Sequence, residues 1–486
     1  MNMKHLMIMV LAVTNATFAG YLTTDAEGYT PQVYGQTFLF TRPAFNNIAF
    51  EMNYWYDAWF DDKKKIAWEI SDIYQSTTHG QHMAQTFFPP RKSKSLLIRG
   101  STNPNTTPAA DVLADWLYLP TNFEGTLIIK PEQWQNATVV KARYCLGEIS
   151  EYSFFNSWWL YATLPLVVVQ NKLNFEQKDV TNAGSTTNPA VFDIITAFEN
   201  PEWEAFKFWT GTKKKVALGE CRLGLGKTFI HTERAHLASY SAVSIPTAKK
   251  GSNEFIFEPQ PGFDGHWALI NGVSLQTPIT RDTDFHYVCF FIELELTSMF
   301  RNHQYRVLSL QNNPWSYFMQ YQQKGQKPIP GINLLNKWVR VSSYEILDWA
   351  AGFRFGRGVL QGEIGFGMWV NSQERIKLAD DWDPFYAIPG STLTTSSSLS
   401  TISAKAPNNP EEFITIPVTQ LDCVDLPQYS RSTILYRVNV SLGADMKKEK
   451  LDLFFGIGSF FESPSSLGHS SIFQQWGVWV KCGGAF

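Results

Sequence analysis

Apolar and polar residues alternate with a period of two along much of the chain. In the segment Thr433 to Asp445, for example, Tyr436 falls on an apolar parity and Arg437 on a polar one. Successive side chains of a β-strand point to opposite sides of a sheet, so this pattern predicts strands with two different faces. Eleven segments fit by alternation or length: Ala137–Gly147, Phe155–Val169, Lys215–Thr228, Ala235–Pro246, Trp267–Gln276, Phe285–Phe300, Trp338–Arg354, Arg357–Asn371, Thr433–Asp445, Lys450–Phe461 and Trp476–Phe486.

The connections between these segments alternate between short and long. Asp445 to Glu449 is a short turn, whereas Asn371 to Ser432, the connection before it, is the longest. The alternation puts the short turns at one end of the sheet and the long loops at the other. Hairpins joined by long crossovers in a soluble β-sandwich would give a similar pattern, so that fold is the alternative.

The last predicted strand ends on Phe486. Val478, Val480 and Cys482 share its apolar parity, and Lys481 lies on the other. An alternating strand that stops on phenylalanine resembles the closing strand of bacterial outer-membrane β-barrel proteins. In those proteins, one face of each strand meets lipid and the other meets the lumen. The resemblance therefore places Lys481 in the lumen and the apolar parity toward lipid.

This resemblance covers roughly Phe123 to Phe486. It implies an all-β fold: a transmembrane antiparallel up-and-down β-barrel of about 12 to 14 strands, with long external loops and short periplasmic turns. Such barrels have an even number of strands, so at least one more is expected upstream, with Phe123 to Lys130 and Ser95 to Ser101 as candidates. The resemblance also implies location in the bacterial outer membrane, contact with its lipid, and recognition of the strand ending at Phe486 by the barrel-assembly machinery.

The N-terminus has the layout of a secretory signal peptide over residues 1–19. Lys4 precedes a short apolar stretch, and cleavage is expected after Ala19. This predicts export through the inner membrane. Residues 20–122 are less regular and fit a periplasmic cap, a plug in the lumen or the first strands. They include a helical pattern near 109–118, and residues 123–486 are assigned to the barrel.

Composition is compatible with a barrel. Aromatic residues make up 15% of the chain, including 17 tryptophans, and outer-membrane barrels place aromatic residues in girdles at both membrane interfaces. The net charge of -3 gives no electrostatic reason to expect nucleic acid as a partner. The five cysteines lack metal-ligand spacing and are interpreted as structural.

Sequence motifs give no cofactor, metal or catalytic site. The segment Gly224 to Thr228 resembles the end of a phosphate-binding loop, but Cys221 occupies the position of its first glycine. Asp380, Asp381 and Asp383 form an acidic cluster that could hold Ca²⁺, although a solvated loop is the preferred reading. No nucleophile motif is recognisable. The chain is not expected to be an enzyme, although a barrel enzyme could assemble its site from distant strands.

Charged residues on the polar parities define a candidate lumen site. The set is Lys141, Arg143, Glu220, Arg222, Glu293, Glu295, Glu363, Arg437, Asp452 and Lys481. In a water-filled pore such residues set ion selectivity, and their mixed signs predict weak selectivity at most. The alternative is that they pair with one another and fill a narrow barrel.

Three functions are compatible with this sequence. The first is porin-like passage of small solutes through the lumen. The second is transport of hydrophobic substrates with the N-terminal segment as a hatch, which apolar lumen residues in Phe155 to Val169 would support. The third is a non-transporting surface barrel that presents the loops Asn171–Lys214, Arg301–Asn336 and Asn371–Ser432 for adhesion. An outer-membrane enzyme ranks fourth.

Overall fold

The computed structural model describes most of the chain downstream of residue 41. The described residues are 42–48, 64–78, 80, 84, 95–105, 110–147, 157–183, 191–232, 235–280, 286–310, 315–323, 326–372, 374–383, 386–389, 413–421, 433–447, 451–465 and 473–486. The predicted signal peptide, residues 1–19, lies outside them. No helix in the described part is long and apolar enough to cross a membrane.

Twelve antiparallel strands form one closed sheet. They are β1 (Ile66–Thr78), β2 (Glu132–Cys145), β3 (Trp158–Lys172), β4 (in two pieces, Thr212–Leu218 and Cys221–His231), β5 (His236–Ile245), β6 (Ala268–Pro278), β7 (His286–Met299), β8 (Tyr344–Arg357), β9 (Leu360–Asn371), β10 (Thr433–Met446), β11 (Asp452–Pro464) and β12 (Gln474–Ala485). The prediction of an all-β antiparallel barrel of about 12 to 14 strands is confirmed.

The barrel closes between its first and last strands. Ala67 pairs with Ala485, and the register continues to Thr78 opposite Gln474. The backbone N–H of Phe486 also donates to the Ile66 carbonyl, with an N···O distance of 2.9 Å. A closed sheet has no edge strand, so each strand has a bonding neighbour on both sides, as a hydrocarbon surrounding requires.

The strand that sequence analysis lacked is β1, inside the segment assigned to residues 20–122. The barrel therefore starts well before residue 123. The two candidates for that strand instead form Ser95–Arg99 and Glu124–Ile128, which pair with each other outside the barrel. The alternation of β1 is imperfect, because Asp72 lies on its apolar parity and Ile73 on its polar parity.

Most short turns lie at one end of the barrel and most long connections at the other, and we call these the turn end and the loop end. Phe486 and the start of β1 lie at the turn end. Gly358 and Val359, for example, join β8 to β9 there, and residues 372–432 join β9 to β10 at the loop end. The predicted alternation of connection lengths holds with one exception: the turn-end connection 146–157 has 12 residues and the loop-end connection 465–473 has 9.

The loop end carries a folded cap. Its described part contains a four-stranded sheet (Val112–Leu113, Ser95–Arg99, Glu124–Ile128, Glu176–Thr181) and a three-stranded sheet (Asn302–Val307, Asn336–Val341, Ile376–Leu378). It also contains two short strand pairs (Gln320–Tyr321 with Ile329–Pro330, Ala387–Pro389 with Phe413–Thr415), two helices (Ile194–Phe198, Gly331–Leu334) and three 3₁₀ turns (Ala114–Leu117, Ser316–Phe318, Val418–Gln420). Residues from all six loop-end connections meet in one apolar core. The described parts of these connections therefore pack as one body.

The helix predicted near 109–118 is not formed. Val112 and Leu113 pair in parallel with Ile98 and Arg99, and a single 3₁₀ turn, Ala114–Leu117, follows. The carboxylate of Asp111 accepts a bond from the Leu97 backbone N–H at 2.7 Å. Pairing with a neighbouring strand thus satisfies the backbone that the helical pattern would have bonded internally.

Aromatic rings lie over glycines of the neighbouring strand inside the wall. Trp159 of β3 faces Gly226 of β4, and a Cβ added to Gly226 would lie 2.2 Å from the Trp159 ring. Tyr240 faces Gly272 in the same way. The absence of a side chain at these glycines makes room for the rings, which fill the barrel interior.

We expect Gly226→Val to destabilise the barrel by about 1–3 kcal/mol, because the new side chain overlaps the Trp159 ring. The measurement is the temperature at which the compact folded band on an SDS gel converts to the unfolded band. Leu225→Val, an adjacent change on the outward face, is the matched control and should leave that temperature nearly unchanged. Equal temperatures for both variants would contradict the packing role of Gly226.

Candidate functional site in the barrel lumen

The outer and inner faces of the wall differ as the alternation predicts. Side chains such as Ile457 and Val480 point outward and are about half exposed. Cys482 is exposed on the same face, whereas Lys481 is buried inside. An exposed apolar belt around a polar interior is the pattern of a barrel in lipid.

All ten charged residues predicted for the lumen point into the barrel. Lys141, Arg143, Glu220, Arg222, Glu293, Glu295, Glu363, Arg437, Asp452 and Lys481 are each less than a tenth exposed. Their direction follows from strand alternation, but solvent barely reaches them. Whether they line a conducting pore stays a prediction.

Residues 42–48, which we call the plug segment, lie inside the lumen. The Ala44 backbone N–H donates to Gln135 Oε1 of β2 at 2.7 Å, and Asn46 Oδ1 accepts from Arg222 Nη2 of β4 at 2.9 Å. On the opposite wall, the Ile48 backbone N–H donates to Asp348 Oδ2 of β8 at 3.2 Å. The plug segment is therefore bonded to strands on opposite sides of the barrel.

A buried cluster of four charges joins the plug segment to the wall. Arg42 pairs with Glu462 of β11, and its Nη1 lies 3.8 Å from Asp348 Oδ2. Arg437 of β10 pairs with Asp348, and its Nη1 lies 3.4 Å from Glu462 Oε1. Asn47 of the plug segment accepts a bond from Arg437. Two guanidinium groups and two carboxylates balance here, as burial of charge requires.

The other lumen charges that follow have an oppositely charged, polar or aromatic partner. Arg222 Nη1 lies 3.4 Å from Glu295 Oε2, which also accepts from the Tyr240 hydroxyl at 3.1 Å. Arg354 Nη2 lies 2.7 Å from Glu363 Oε2. Further contacts are Lys141 to Glu69 at 3.9 Å, Lys64 to Asp452 at 3.5 Å, the Ser274 hydroxyl to Glu293 at 2.9 Å, Lys481 over the Trp479 ring at 4.8 Å and the Phe263 backbone N–H to Glu220.

Sequence reasoning missed three members of the four-charge cluster. Arg42 lies in a segment without periodicity, and Glu462 fell in a predicted external loop. Asp348 lies in a segment, Trp338–Arg354, that the structure divides into Asn336–Val341 of the cap and β8. The alternation of β8 places Asp348 on its inward face, and that pattern was the one feature of the sequence that could have identified this residue.

The acidic cluster predicted as a possible Ca²⁺ site does not converge. Asp380 Oδ2 accepts from the Trp338 backbone N–H at 2.9 Å, and Asp383 Oδ2 accepts from Gln323 Nε2 at 2.8 Å. Asp381 is exposed. Across the described ranges, no group of three His, Cys, Asp or Glu side chains could hold a metal ion.

A buried polar chain supports the cap where it meets the barrel. His266 Nδ1 donates to the Phe300 carbonyl at 2.7 Å, and Gln304 Nε2 donates to His266 Nε2 at 3.0 Å. Arg306 donates to Gln304 and to Glu374 Oε1, the latter at 3.1 Å. Burial lowers the pKa of His266 from its ordinary value, so the neutral ring is the form that fits.

No protein-family model and no curated protein matches the chain. Among solved structures, it is similar to the COG4313 outer membrane channel from Pseudomonas putida F1, with TM-score 0.35 and 9% identity over 86% of this chain and 95% of that one. It is also similar to the transport unit of the autotransporter AIDA-I from Escherichia coli, with TM-score 0.33 and 9% identity over 92% and 99%. The Ralstonia pickettii toluene transporter TbuX gives TM-score 0.26 and 8% identity over 95% and 99%.

The pairing of β1 with β12, which closes the sheet, and the exposed apolar belt decide which class of architecture the chain has. The chain has the architecture of an outer-membrane β-barrel.

We expect Arg437→Met to destabilise this barrel by about 3–5 kcal/mol, because it leaves two buried carboxylates with one cation between them. The measurement is again the unfolding temperature of the compact band. Adding Asp348→Asn to that variant removes the excess negative charge and should recover much of the loss. Arg357→Met, at an exposed arginine of the turn end, is the control. No recovery in the double variant would contradict the charge balance.

We also expect the stability of the barrel to fall as the pH drops below about 6.5, the ordinary pKa of histidine. The folded state holds His266 neutral, whereas the unfolded chain binds the proton. The free energy of unfolding therefore falls by up to about 1.4 kcal/mol per pH unit, until the pH reaches the lowered pKa of His266 in the folded state. His266→Gln should flatten this dependence, whereas His303→Gln, at an exposed position, should not. Unfolding temperatures between pH 7.5 and 5.5 provide the measurement.

Proposed function

We propose that the protein is a plugged transport barrel that passes small solutes across the outer membrane. In this proposal the plug segment must leave the lumen, or shift within it, before a solute passes. The carrying observation is the bonding of Arg42 to Glu462 and Asp348, which ties the plug segment into a mixed-charge lumen. The lipid around the wall, and assembly machinery acting on the strand ending at Phe486, are the partners proposed with it.

The plug segment makes two kinds of contact with the wall: hydrogen bonds and ion pairs, which water can replace, and apolar packing by Phe45 and Ile48, which it cannot. Its recorded bonds, from Arg42, Ala44, Asn46, Asn47 and Ile48, all involve polar or charged groups of the wall. Hydrogen bonds to protein exchange for hydrogen bonds to water at modest net cost, whereas an apolar contact area has no such replacement. Water can therefore take over the polar contacts of a displaced plug segment, and the apolar contacts of Phe45 and Ile48 are what displacement costs.

Barrel width supports the same proposal. Eight-stranded barrels are filled by their own side chains, and barrels of 16–18 strands leave an aqueous channel. This barrel has twelve strands, and its interior holds wall side chains together with the plug segment. Removing the plug segment would open space that the wall does not fill alone.

We expect the combined variant Arg42→Ala, Asn46→Ala and Asn47→Ala to raise the conductance of planar bilayers at least about tenfold over the wild type. The change removes charge-assisted hydrogen bonds, each worth about 1.5–3 kcal/mol, that hold the plug segment in place. Ser274→Ala, a lumen change at a residue bonded to Glu293 rather than to the plug segment, is the matched control. A folded triple variant with wild-type conductance would contradict the proposal.

Transport of a hydrophobic substrate is the second candidate. Trp159, Val167 and Val169 of β3 point into the barrel, and Tyr240 lies beside Trp159 with ring centroids 6.2 Å apart. These residues give one side of the lumen an apolar surface. Flux of an aromatic hydrocarbon and of a small sugar through liposomes holding the triple variant separates the two candidates, because each predicts faster passage of its own class.

A surface barrel that presents loops is favoured by a different observation. All six loop-end connections share one apolar core, so the cap could serve as a rigid binding surface. A lack of conductance in both the wild type and the triple variant, together with intact folding, would favour this function over transport.

A further inference from the structure

The three-stranded sheet of the cap continues the barrel wall past its loop end. Its strands follow β7, precede β8 and follow β9, and they keep the neighbour order of those three strands. One face packs into the apolar core of the cap, for example through Val339, Val341 and Ile376. That core gathers residues from all six loop-end connections, so the opposite face, which we call the outer cap face, points away from the barrel axis.

The outer cap face is cationic. Strand alternation brings seven exposed or half-buried side chains to it: Arg301, His303, Tyr305, Trp338, Arg340, Arg375 and Lys377. None of the seven is acidic. Within the described residues, the three arginines and the lysine form no ion pair with a carboxylate. Asp380, at the edge of the sheet, accepts instead from the Trp338 backbone N–H at 2.9 Å.

The strand register sets like charges against one another on this face. Arg340 is directly opposite Lys377 on one neighbouring strand and opposite His303 on the other. Like charges at directly opposite positions of a sheet destabilise it. An anion bound between Arg340 and Lys377 would remove this repulsion, so the arrangement fits an anionic ligand.

Aromatic rings lie beside these cations. The Tyr305 and Trp338 ring centroids are 4.7 Å apart, and the His303 ring stacks on Trp338 at 6.1 Å. Lys250 Nζ donates to Asn302 Oδ1 at 2.7 Å and lies 5.8 Å from the Trp338 centroid. Exposed rings next to cations suit a ligand that has both C–H faces and negative groups, which is the chemistry of an acidic sugar.

The register of the wall gives the height of the outer cap face. Leu296 of β7, Leu347 of β8 and Val370 of β9 share the last apolar row. The next outward row toward the loop end is polar and consists of Ser298, Glu345 and Ser372. Arg301 and Tyr305 follow Leu296 by five and nine residues. At a rise of about 3.3 Å per residue and a tilt of about 40°, they lie up to roughly 13 and 23 Å beyond that row.

This height distinguishes between classes of lipid. A phospholipid headgroup layer is only about 5–8 Å thick, so most of the outer cap face lies beyond it. A headgroup built of several sugars extends further from the hydrocarbon and reaches the face. Because such a lipid is anchored beside the wall, its headgroup is presented to the face at a high effective concentration, which a free saccharide lacks.

We infer that the outer cap face binds the anionic saccharide headgroup of a glycolipid in the surrounding membrane leaflet. Arg340, Arg375 and Lys377 contact its negative groups, because planar guanidinium groups bond phosphate or carboxylate in pairs of hydrogen bonds. Tyr305 and Trp338 pack against its sugar rings. The glycolipid thereby holds the cap against the membrane surface beside β7, β8 and β9.

The test measures binding of fluorescently labelled rough-type lipopolysaccharide, whose short saccharide carries phosphate and carboxylate groups, to the full-length folded chain in nonionic detergent micelles. We expect saturable binding by the wild type, and the double variant Arg340→Gln and Arg375→Gln to raise the Kd at least about tenfold. The matched control, Lys327→Gln with Arg357→Gln, removes the same charge from exposed positions outside the outer cap face and should bind like the wild type. Both variants should keep the heat-modifiable gel mobility of the folded barrel.

Competing ligands identify the occupant. Phosphatidylglycerol, an anionic lipid without sugar, and the free saccharide released from the same lipopolysaccharide should each compete at least about tenfold less well than the intact glycolipid. Equal competition by phosphatidylglycerol would overturn recognition of the saccharide, and equal competition by the free saccharide would overturn the lipid as its source. A wild type without saturable binding, or equal weakening in the control and in the arginine variant, would overturn the whole inference. Conductance plays no part in these measurements, so their outcome is separate from that of the plug proposal.

Discussion

The backbone hydrogen bonds between the first and last strands are the constraint on which the rest of this structure depends. In hydrocarbon, an unpaired N–H or C=O group has no water to bond, so a sheet is stable there only if it closes. β1 supplies that closure by bonding to β12 and to β2 along its whole length. Once the ring is closed, alternation directs every second side chain inward, and the interior must accommodate the polar residues that face it.

Charge balance in the interior then depends on residues outside the wall. The wall contributes Arg437, Asp348 and Glu462, which leave one carboxylate without a cation of its own. Arg42 of the plug segment supplies the second cation. Removing the plug segment from a dry lumen would strand a buried negative charge, whereas water entering at the same time would solvate it. Displacement of the plug and wetting of the lumen are therefore coupled by the same four side chains.

The features that could be predicted from the sequence are those that follow from the alternation of side chains along a strand. Alternation and segment length predicted eleven strands, the inward direction of ten charged residues and most of the connection lengths. It could not give the cap, because its core joins segments from six connections that lie far apart in the chain. Nor could it give the plug segment, since Arg42 to Ile48 has no period and its position follows from partners such as Glu462, more than four hundred residues away.

The failure to predict β1 has a physical cause that is also informative. Parity identifies a strand when its outer face is uniformly apolar, and Asp72 breaks that uniformity in the middle of β1. A polar residue at that position costs stability if lipid covers it, and the bonds from Asn136 and Thr138 offset only part of this cost. The same residue that obscures the strand in the sequence thus marks the part of the wall least suited to lipid.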